Sequence, residues 1–432
     1  MLFRIPLQGA LVCSTSECAL CWGTCSKAVC YASPTCICYL ARPLMPNAAV
    51  HATIRTDCIR HNVRVLHERA RPAGLMAVLK ADAYGHGVRT VAPLLQEAGV
   101  QAFAVARLHE AITLRQLGID GLILVLAPPT PDELPAYTAH RLHASVTSVP
   151  VARMLTTAPL DRTLPVHVNV DTGMHRLGLN DADVPTWWTR LRRASSVEAA
   201  GVYTHLATAD TPDHPLNTTQ LKRFAEVVRT LRPAPTTVHV ANTDALAHLP
   251  TRLPADAQYV RVGLGMYGLT SRPAPDAATN NIRNALRPVL SLRARVIHTH
   301  TVPQGETVSY GARWTAPRAT QVATLSIGYG DGYPRAASGH AHVRLHDTLR
   351  PMVGRVCMDL CMVDLGSPTS TLAQNTSVGD HAVLFDAAGP TLHDVARWSD
   401  TIPYEIACQL APRVPRHYCD APATSMADNG TI

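Results

Sequence analysis

The sequence lacks the features that mark membrane proteins and nucleic-acid-binding proteins. No uninterrupted apolar stretch among its 432 residues approaches the roughly 20 that a membrane-spanning helix needs, so we expect no membrane anchor. Lysine and arginine outnumber aspartate and glutamate, 39 against 32, but they form no run that could follow a phosphate backbone. We therefore expect no nucleic-acid partner. With 16% charged and 47% hydrophobic residues, the composition is typical of a globular protein with two domains or one large barrel plus an appendage.

Cysteine is scarce except near the N-terminus. Seven of the twelve cysteines precede Met45, namely Cys13, Cys18, Cys21, Cys25, Cys30, Cys36 and Cys38. Their odd number, uneven spacing and lack of histidine neighbours fit neither a disulfide framework nor a zinc site well, and we predict no metal site in the protein. We interpret residues 1–44 as a leader, disordered or non-native, ahead of a real start at Met45. The alternatives are a targeting peptide, although Arg4 alone supplies its charge, and a metal-binding segment.

From about Val50, short apolar runs alternate with amphipathic stretches. The runs that we predict as strands are Met76–Leu79, Phe103–Ala106, Leu122–Leu126, Val166–Val170, Ala200–Thr204, Thr237–Ala241 and Tyr259–Val262. Helical stretches such as Glu110–Leu117 and Thr219–Leu231 lie between them. This alternation is typical of parallel β-α-β units, and about eight such units can close into a barrel. We therefore predict an α/β fold with a (β/α)8 barrel over residues 45–283.

After Ser271–Asn281 the pattern changes to short β-like segments separated by Gly, Pro and Asp turns. These segments are Leu290–His298, Gln321–Ile327, His342–Leu345, Cys361–Leu365 and His381–Phe385. No long helical stretch interrupts them before Asp394–Trp398. We predict a second, mostly antiparallel β domain over residues 284–432.

The most informative single residue is Lys80, which follows the apolar run Leu75–Leu79 and precedes a Gly-His-Gly turn. In a β/α barrel, side chains at the carboxyl ends of the strands carry the chemistry. A lysine that is half-buried there loses solvation of its ammonium form, and its amine becomes available as a nucleophile or base. These are the properties needed for a Schiff base with an aldehyde cofactor. The alternative is a strand-end lysine that extends into water.

The surrounding string AVLKADAYGHG resembles the lysine motif of the pyridoxal-phosphate-dependent alanine racemases. The resemblance continues through eight further motifs in family order: DTGMHRLG (Asp171–Gly178), VYTHLATAD (Val202–Asp210), HVANTDAL (His239–Leu246), RVGLGMYGL (Arg261–Leu269), VSYGARW (Val308–Trp314), IGYGDGYPR (Ile327–Arg335), VGRVCMDL (Val353–Leu360) and TIPYEI (Thr401–Ile406). It covers the chain from about residue 50 to about residue 418. The resemblance implies a cytoplasmic homodimer that interconverts L- and D-alanine with pyridoxal 5′-phosphate and supplies D-alanine for peptidoglycan.

Racemisation requires two bases on opposite faces of the substrate. By resemblance, Lys80 is one base and Tyr310 is the other, and the resemblance places Tyr310 in the active site of the partner subunit. Arg261 matches the arginine that faces the pyridine nitrogen of the cofactor in this family. His205 matches the histidine that links this arginine to the tyrosine base by hydrogen bonds. The four residues are the predicted catalytic set.

The same resemblance implies the binding residues. Those expected to hold the cofactor beside Lys80 are Tyr84, Leu126, Arg176, His205, Asn242, Thr243, Arg261, Gly263, Leu264 and Tyr404. Those expected to contact the substrate or line a narrow entrance are Arg176, Met358, Asp359, Tyr329 and Asp331. Backbone N–H groups at Gly263 and Leu264 suit a phosphate, because Gly263 carries no side chain to obstruct it.

The sequence departs from the family pattern at three positions. Asn169 occupies the position where many members carry a carbamylated lysine that orients the equivalent of Arg176. The orientation of Arg176 must then come from the Asn169 amide, from an anion such as chloride or from another partner. Thr243 replaces the more common serine and keeps the hydroxyl, and Leu264 contributes through its backbone.

Two other functions remain open at this point. A racemase of the same fold could accept a broader range of amino acids. A pyridoxal-phosphate carrier could bind the cofactor on a barrel and catalyse little, but such carriers lack both a second β domain and the Ser-Tyr-Gly base.

Overall fold

The computed structural model describes residues 48–249, 253–271 and 282–420. The expectations for residues 1–44 and for a start at Met45 lie outside the described residues. Among the described residues, no helix is long and apolar enough to cross a membrane.

The secondary structure follows the predicted change from alternating strands and helices to mainly strands. In chain order, the first part contains β1 (Val50–Arg55), α1 (Thr56–Ala70), β2 (Gly74–Val78), α2 (Lys80–Tyr84), α3 (Val88–Glu97), β3 (Ala102–Val105), α4 (Leu108–Gln116), β4 (Leu122–Val125), α5 (Leu134–Ala139), β5 (His143–Val146), α6 (Val149–Thr157), β6 (Leu164–Asp171), β7 (Leu179–Asn180), α7 (Val184–Arg193), β8 (Val197–Tyr203), α8 (Pro215–Thr230), β9 (Thr237–His239), α9 (Thr243–His248) and β10 (Tyr259–Val262). The second part contains α10 (Ile282–Ala285), β11 (Leu290–Val302), β12 (Thr307–Val308), β13 (Trp314–Thr315), β14 (Thr320–Leu325), β15 (His342–Leu345), β16 (Thr348–Val353), β17 (Cys361–Gly366), α11 (Thr371–Asn375), β18 (His381–Phe385), α12 (Leu392–Trp398), α13 (Pro403–Gln409) and β19 (Arg416–Cys419).

Eight parallel strands close into a barrel, which confirms the predicted fold. The order is β2, β3, β4, β5, β6, β8, β9 and β10, and β10 pairs again with β2. The strands are almost entirely buried, as expected where helices cover a parallel sheet. The sequence predicts seven of these strands, with ends that shift by at most three residues. It misses β5, because His-Ala-Ser-Val is not an apolar run.

The second sheet has eight strands in the order β14, β17, β16, β15, β18, β11, β1 and β19, and β14 also pairs with β11. Its strand pairs are antiparallel except for β1 with β19. The predicted antiparallel β domain is therefore confirmed. Its turns carry three of the residues that the sequence assigns to the substrate, Tyr329, Met358 and Asp359. Tyr310 lies in the hairpin between β12 and β13, which form a separate two-stranded sheet.

Strand β1 belongs to this second sheet although it precedes the barrel in the chain. Val50 lies opposite Ala294 of β11, and Ala52 lies opposite Arg416 of β19. Within β1 the buried residues are Ala52 and Ile54, so its alternating pattern places one face in the core. The barrel is thus inserted between two strands of the second sheet, β1 and β11.

Candidate active site

A cavity of about 640 Å³ lies at the carboxyl ends of the barrel strands. All the residues that the sequence assigns to the cofactor line it: Lys80, Tyr84, Leu126, Arg176, His205, Asn242, Thr243, Arg261, Gly263, Leu264 and Tyr404. They converge because the strands of a β/α barrel all end on one face. Five further predicted site residues, Tyr310, Tyr329, Asp331, Met358 and Asp359, do not line this cavity.

A left-handed turn follows Lys80 and carries Tyr84. Ala81, Asp82, Ala83 and Tyr84 all have φ values between 53° and 56°. L-amino acids disfavour this conformation by roughly 1–2 kcal/mol per residue. The turn therefore needs support from neighbouring groups.

Glu110 supplies much of this support. One carboxylate oxygen, Oε1, accepts a hydrogen bond from the N–H of Ala81 at 2.7 Å. The other, Oε2, accepts from the N–H groups of Ala106 and Arg107 at 2.9 and 2.8 Å. The side chain thus ties the turn after β2 to the end of the neighbouring strand β3, and both segments line the cavity.

We expect Glu110→Gln to lower the free energy of unfolding by about 2 kcal/mol, because hydrogen bonds to a charged group contribute about 1.5–3 kcal/mol each and the amide can accept at only one of its two ends. Urea unfolding followed by circular dichroism measures the change. Glu97→Gln, an exposed position at the end of α3, is the matched control and should shift stability by less than about 0.5 kcal/mol. Equal effects of the two substitutions would contradict this role of Glu110.

The amine of Lys80 is suited to act as a nucleophile or base. Lys80 is partly buried, and its burial together with repulsion from Arg176 lowers the pKa of its ammonium group below the usual value. Its Nζ atom lies 6.0 Å from the ring centre of Tyr84. A lowered pKa increases the fraction of neutral amine near neutral pH.

Arg261 is buried at the base of the cavity and is held by acceptors without negative charge. Its Nη1 donates to Nδ1 of His239 at 3.0 Å and to the carbonyl of the same residue at 2.9 Å. Its Nη2 donates to the carbonyls of Thr204 and Val240 at 2.7 and 3.0 Å, and to Nδ1 of His205 at 3.3 Å. Burial lowers the pKa of the guanidinium to about 10. Arg261 therefore remains a cation at neutral pH.

One donor of Arg261 is left for a bound molecule. Within the part of the chain that the structure describes, its Nε–H has no protein acceptor, yet the atom is not sealed from solvent. Because Arg261 lines the cavity, this donor is available to an acceptor atom of a ligand.

His205 is neutral under most conditions. Burial and the nearby cations Arg261, Arg176 and Lys80 lower its pKa to about 3. Its Nδ1 faces an N–H of Arg261 and must accept, so the proton of the neutral ring lies on Nε2. His205 thus presents one directed donor beside the cavity.

Another part of the cavity wall is a cradle formed by Gly263, Leu264 and Thr243. The N–H groups of Gly263 and Gly265 donate to Oγ1 of Thr243 at 3.3 and 3.2 Å. A Cβ atom at Gly263 would lie only 2.6 Å from the hydroxyl oxygen of Tyr84. Glycine therefore allows the close approach of the Tyr84 phenol. Asn242 caps the helix that begins at Thr243, because its side-chain oxygen accepts a hydrogen bond from the N–H of Ala245 at 2.9 Å.

Two phenols beside this cradle remain protonated. Burial raises the pKa of Tyr404 to about 12 and raises that of Tyr84 further. Their ring centres are 6.0 Å apart. Both can therefore donate hydrogen bonds to an anionic group at neutral pH.

Asn169 contacts the segment that carries Arg176. Its Nδ2 donates to the carbonyl of Leu177 at 3.1 Å, and the side chain is buried against the cavity. Of the three explanations offered by the sequence for the orientation of Arg176, the geometry gives a contact for the amide. This contact acts on the backbone next to Arg176 and not on its guanidinium.

Three of the predicted site residues outside the barrel have exposed side chains. Tyr310 is 72% exposed, Met358 is 55% exposed and Tyr329 is 43% exposed. Large apolar side chains that are exposed together are typical of surfaces that contact another molecule.

Hydrogen bonds to backbone carbonyl groups join the three turns that carry these residues. The N–H of Tyr329 donates to the carbonyl of Cys357 at 3.0 Å, and the N–H of Gly330 donates to the carbonyl of Met358 at 2.8 Å. The hydroxyl of Ser309, next to Tyr310, donates to the carbonyl of Arg355 at 2.9 Å.

Arg413 holds the carboxylates of two aspartates in these turns, Asp331 and Asp359. Its Nε donates to Asp331 and its Nη2 donates to Asp359, each at 2.7 Å. Asp331 also accepts from the N–H of Gly328 at 3.0 Å. The two aspartates therefore hold the turns in place.

Sequence reasoning missed several residues that shape the site. Glu110 lies outside every motif, and its only signal is an acidic residue in the first turn of α4. His239 and Tyr203 fall inside the motifs HVANTDAL and VYTHLATAD, but their contacts with Arg261 depend on the closure of the barrel. The ring of Tyr203 lies 5.2 Å from the Arg261 guanidinium.

Comparison with known protein families matches two profiles to this chain. Residues 54–271 match "Alanine racemase, N-terminal domain", and residues 289–418 match "Alanine racemase, C-terminal domain".

Individual relatives cover most of the chain. An alanine racemase of Acidithiobacillus ferrooxidans is 38% identical over 84% of this chain and 97% of its own length. One of Deinococcus radiodurans is 39% identical over 86% of this chain and 99% of its own. Among solved structures, the alanine racemase of Streptomyces lavendulae superposes with a TM-score of 0.77 at 34% identity, over 88% of this chain and 99% of that one. The biosynthetic alanine racemase of Pseudomonas aeruginosa gives a TM-score of 0.77 at 33% identity, over 86% and 99%.

Proposed function

The chain belongs to the alanine racemase family, and from this premise we propose that Lys80 and Tyr310 are the two bases with which it interconverts L- and D-alanine. The protein is an amino-acid racemase, an isomerase. The observation that carries the proposal is one cavity that contains the amine of Lys80, with its lowered pKa, and the buried cation Arg261 with a free Nε–H.

The residues of the cavity fit pyridoxal 5′-phosphate, the cofactor that we propose. This cofactor supplies an aldehyde that bonds to a lysine amine and a ring that accepts electrons from the α-carbon. Gly263, Leu264 and Thr243, with the protonated phenols of Tyr84 and Tyr404, would hold its phosphate. Arg261 would donate through Nε to the ring nitrogen. Because a guanidinium cannot take the place of a carboxylate as proton acceptor, this nitrogen would remain unprotonated.

The two bases would act from two subunits. Lys80 lies in the barrel cavity, whereas Tyr310 is exposed in the hairpin between β12 and β13 of the same chain and does not line that cavity. In a symmetric dimer, each Tyr310 could enter the cavity of the partner. His205 would donate through Nε2 to the phenolic oxygen of Tyr310, and the nearby cation Arg261 would stabilise negative charge on that oxygen, as the role of a base requires.

Substrate recognition would divide between the same two elements. Arg176 would bind the carboxylate of alanine, assisted by the backbone N–H at Met358 or Asp359 from the partner. Tyr329 would narrow the entrance and favour a side chain the size of a methyl group. The D-alanine formed would supply peptidoglycan synthesis, in a cytoplasmic enzyme.

The contact of Asn169 gives a prediction for substrate binding. We expect Asn169→Ala to raise the KM for L-alanine about fivefold with little change in kcat, because it removes one hydrogen bond of about 1 kcal/mol that holds the Arg176 segment. Steady-state racemisation kinetics measure both constants. Asn180→Ala, which alters an exposed residue of β7, is the control. An unchanged KM would assign the orientation of Arg176 to another group.

The proposed function is tested by following exchange and chirality together. Protein that begins at Met45 and is loaded with pyridoxal phosphate is incubated in D2O with L-alanine, L-serine, L-lysine or L-arginine. We expect α-deuteration and loss of optical activity with alanine, and much slower exchange with the larger amino acids. Comparable rates on all four would indicate a broad racemase. No exchange despite bound cofactor would favour a carrier.

A further inference from the structure

Three histidines continue the contacts of Arg261 through the interior of the barrel. His239 at the end of β9 contacts Arg261 through Nδ1, and its Nε2 lies 3.0 Å from Nδ1 of His167 on β6. The Nε2 of His167 lies 3.0 Å from Nδ1 of His143, the first residue of β5. His239 and His167 are completely buried, whereas His143 is partly exposed. We name His239, His167 and His143 the histidine chain.

The charge of Arg261 makes this chain significant. A buried cation is costly unless a counter-charge or well-placed dipoles compensate it. In the part of the chain that the structure describes, Arg261 has no carboxylate partner, and its acceptors are carbonyl oxygens and histidine nitrogens. Its compensation must therefore come from dipoles.

The guanidinium sets the direction of every hydrogen bond in the chain. Arginine can only donate, so Nδ1 of His239 must accept and its proton must lie on Nε2. This Nε2–H donates to Nδ1 of His167, whose own Nε2–H then donates to Nδ1 of His143. The last Nε2–H has no protein acceptor among the described residues and is not sealed from solvent. All three rings are thus neutral and point their unprotonated nitrogens towards Arg261.

Packing holds the rings in this arrangement. Tyr203 stacks on His239, with ring centres 4.8 Å apart and planes inclined by 14°. Tyr203 is fixed in turn by its hydroxyl, which donates to Ser145 Oγ at 3.0 Å. Gly201 leaves room for His167, because a Cβ there would lie 2.4 Å from Nδ1 of the imidazole. Burial also lowers the pKa of His167 and His239 well below the usual value, which keeps both rings neutral.

We infer that His167 and His143 are positioning residues for racemisation: through His239 they align a row of imidazole dipoles that stabilises the charge of Arg261 and keeps its Nε–H directed into the cavity. The inference rests on the proposed role of Arg261 towards the cofactor. It extends the functional site from the cavity to the opposite end of the barrel, because His143 is the first residue of its strand.

The first test is spectroscopic and does not depend on activity. Long-range 1H–15N spectra of 15N-histidine-labelled holoenzyme at neutral pH distinguish the two neutral tautomers and the cation. We expect Nε2–H tautomers for His239 and His167, with assignments from His167→Gln and His143→Gln. A cation or an Nδ1–H tautomer at His239 or His167 would overturn the inference.

The second test uses substitutions in the holoenzyme. We expect His167→Leu to lower kcat about tenfold, to leave the KM for alanine within about twofold, and to increase pyruvate formed by transamination per racemisation event. His167→Gln should restore most of the loss, because its amide can accept from His239 and donate to His143. The control for disturbance of the core is Val166→Ala, a buried change on the same strand, which should leave the ratio of products unchanged.

The outcomes separate this inference from the proposed function. An unchanged kcat and product ratio in His167→Leu, or the same change in Val166→Ala, would refute the positioning role. If His167→Leu does not fold, His167→Gln and the spectra of the wild-type enzyme still decide the matter. A wild-type enzyme without racemisation would refute the proposed function, and the inference with it, whereas the tautomers would still establish the direction of the chain.

Discussion

Tyr310→Phe is expected to lower kcat for racemisation of L-alanine by about 10²- to 10⁴-fold, the range that a positioned acid or base contributes. The substitution removes only the phenolic oxygen, and the residue is 72% exposed, so folding and cofactor binding should not change. Circular dichroism and the absorbance of bound cofactor provide that control. The measurement is the initial rate of loss of optical activity. A decrease of less than about tenfold would remove Tyr310 from the role of base.

The composite site allows a sharper experiment with the same variant. Lys80→Ala and Tyr310→Phe homodimers should each be nearly inactive. When the two are unfolded together and refolded, half of the dimers should be mixed, and each mixed dimer should have one intact site formed by Lys80 of one subunit and Tyr310 of the other. We therefore expect recovery of about a quarter of the wild-type activity.

The outcome of the mixing distinguishes a shared site from one confined to a single chain. A double variant, Lys80→Ala with Tyr310→Phe, is refolded with each single variant as the control and should restore nothing above the residual rates of those variants. If the Lys80→Ala and Tyr310→Phe mixture also recovers no activity while size-exclusion chromatography shows dimers, the tyrosine base does not come from the partner.

Arg261→Glu is expected to lower racemisation by about 100-fold or more and to raise the share of transamination, measured as pyruvate. Two like charges about 4 Å apart repel by about 4 kcal/mol at an effective dielectric near 20, which is about three pKa units. Arg261 should therefore keep a ring nitrogen of the cofactor unprotonated, whereas a carboxylate would favour its protonation. With a protonated ring nitrogen, the cofactor would take up more of the negative charge left on the α-carbon. The proton could then return to the cofactor and not to the α-carbon of alanine, which is the route to transamination.

Arg261→Lys is the matched variant, because it keeps the charge but loses the planar set of donors. We expect a lower kcat but a product ratio close to that of the wild type. Cofactor binding and unfolding are measured for both variants, since Glu at position 261 would place an anion among carbonyl oxygens and the lone pair of His239. The account is wrong if Arg261→Glu remains folded, binds cofactor and keeps the wild-type product ratio.

Much of the architecture could be predicted from local sequence. Apolar runs such as Met76–Leu79 and Tyr259–Val262 are strands because a parallel strand covered on both faces needs apolar side chains along its length. The position of Lys80 directly after such a run placed it at the active face of the barrel. The residues that the motifs assigned to the cofactor all line one cavity, although their individual roles stay predictions.

Some elements have no local signal. Strand β5, with the sequence His-Ala-Ser-Val, is recognised only by its pairing with β4 and β6. Strand β1 precedes the barrel in the chain, and its place in the second sheet depends on β11 and β19, which lie far along the sequence. Both results come from pairing between distant strands, which periodicity within a short window does not encode.

By itself, the sequence determined the chemistry available to this protein: a strand-end lysine, an arginine, phenols and glycines, in the order of one family. The tertiary structure decided how these groups act. Closure of the barrel brought His143, His167 and His239 into line with Arg261, and Glu110 came to support a left-handed turn of four residues that no local pattern predicts. The reason is physical: the pKa of Lys80, the charge of Arg261 and the direction of each histidine proton depend on burial and on neighbours that only the fold brings together.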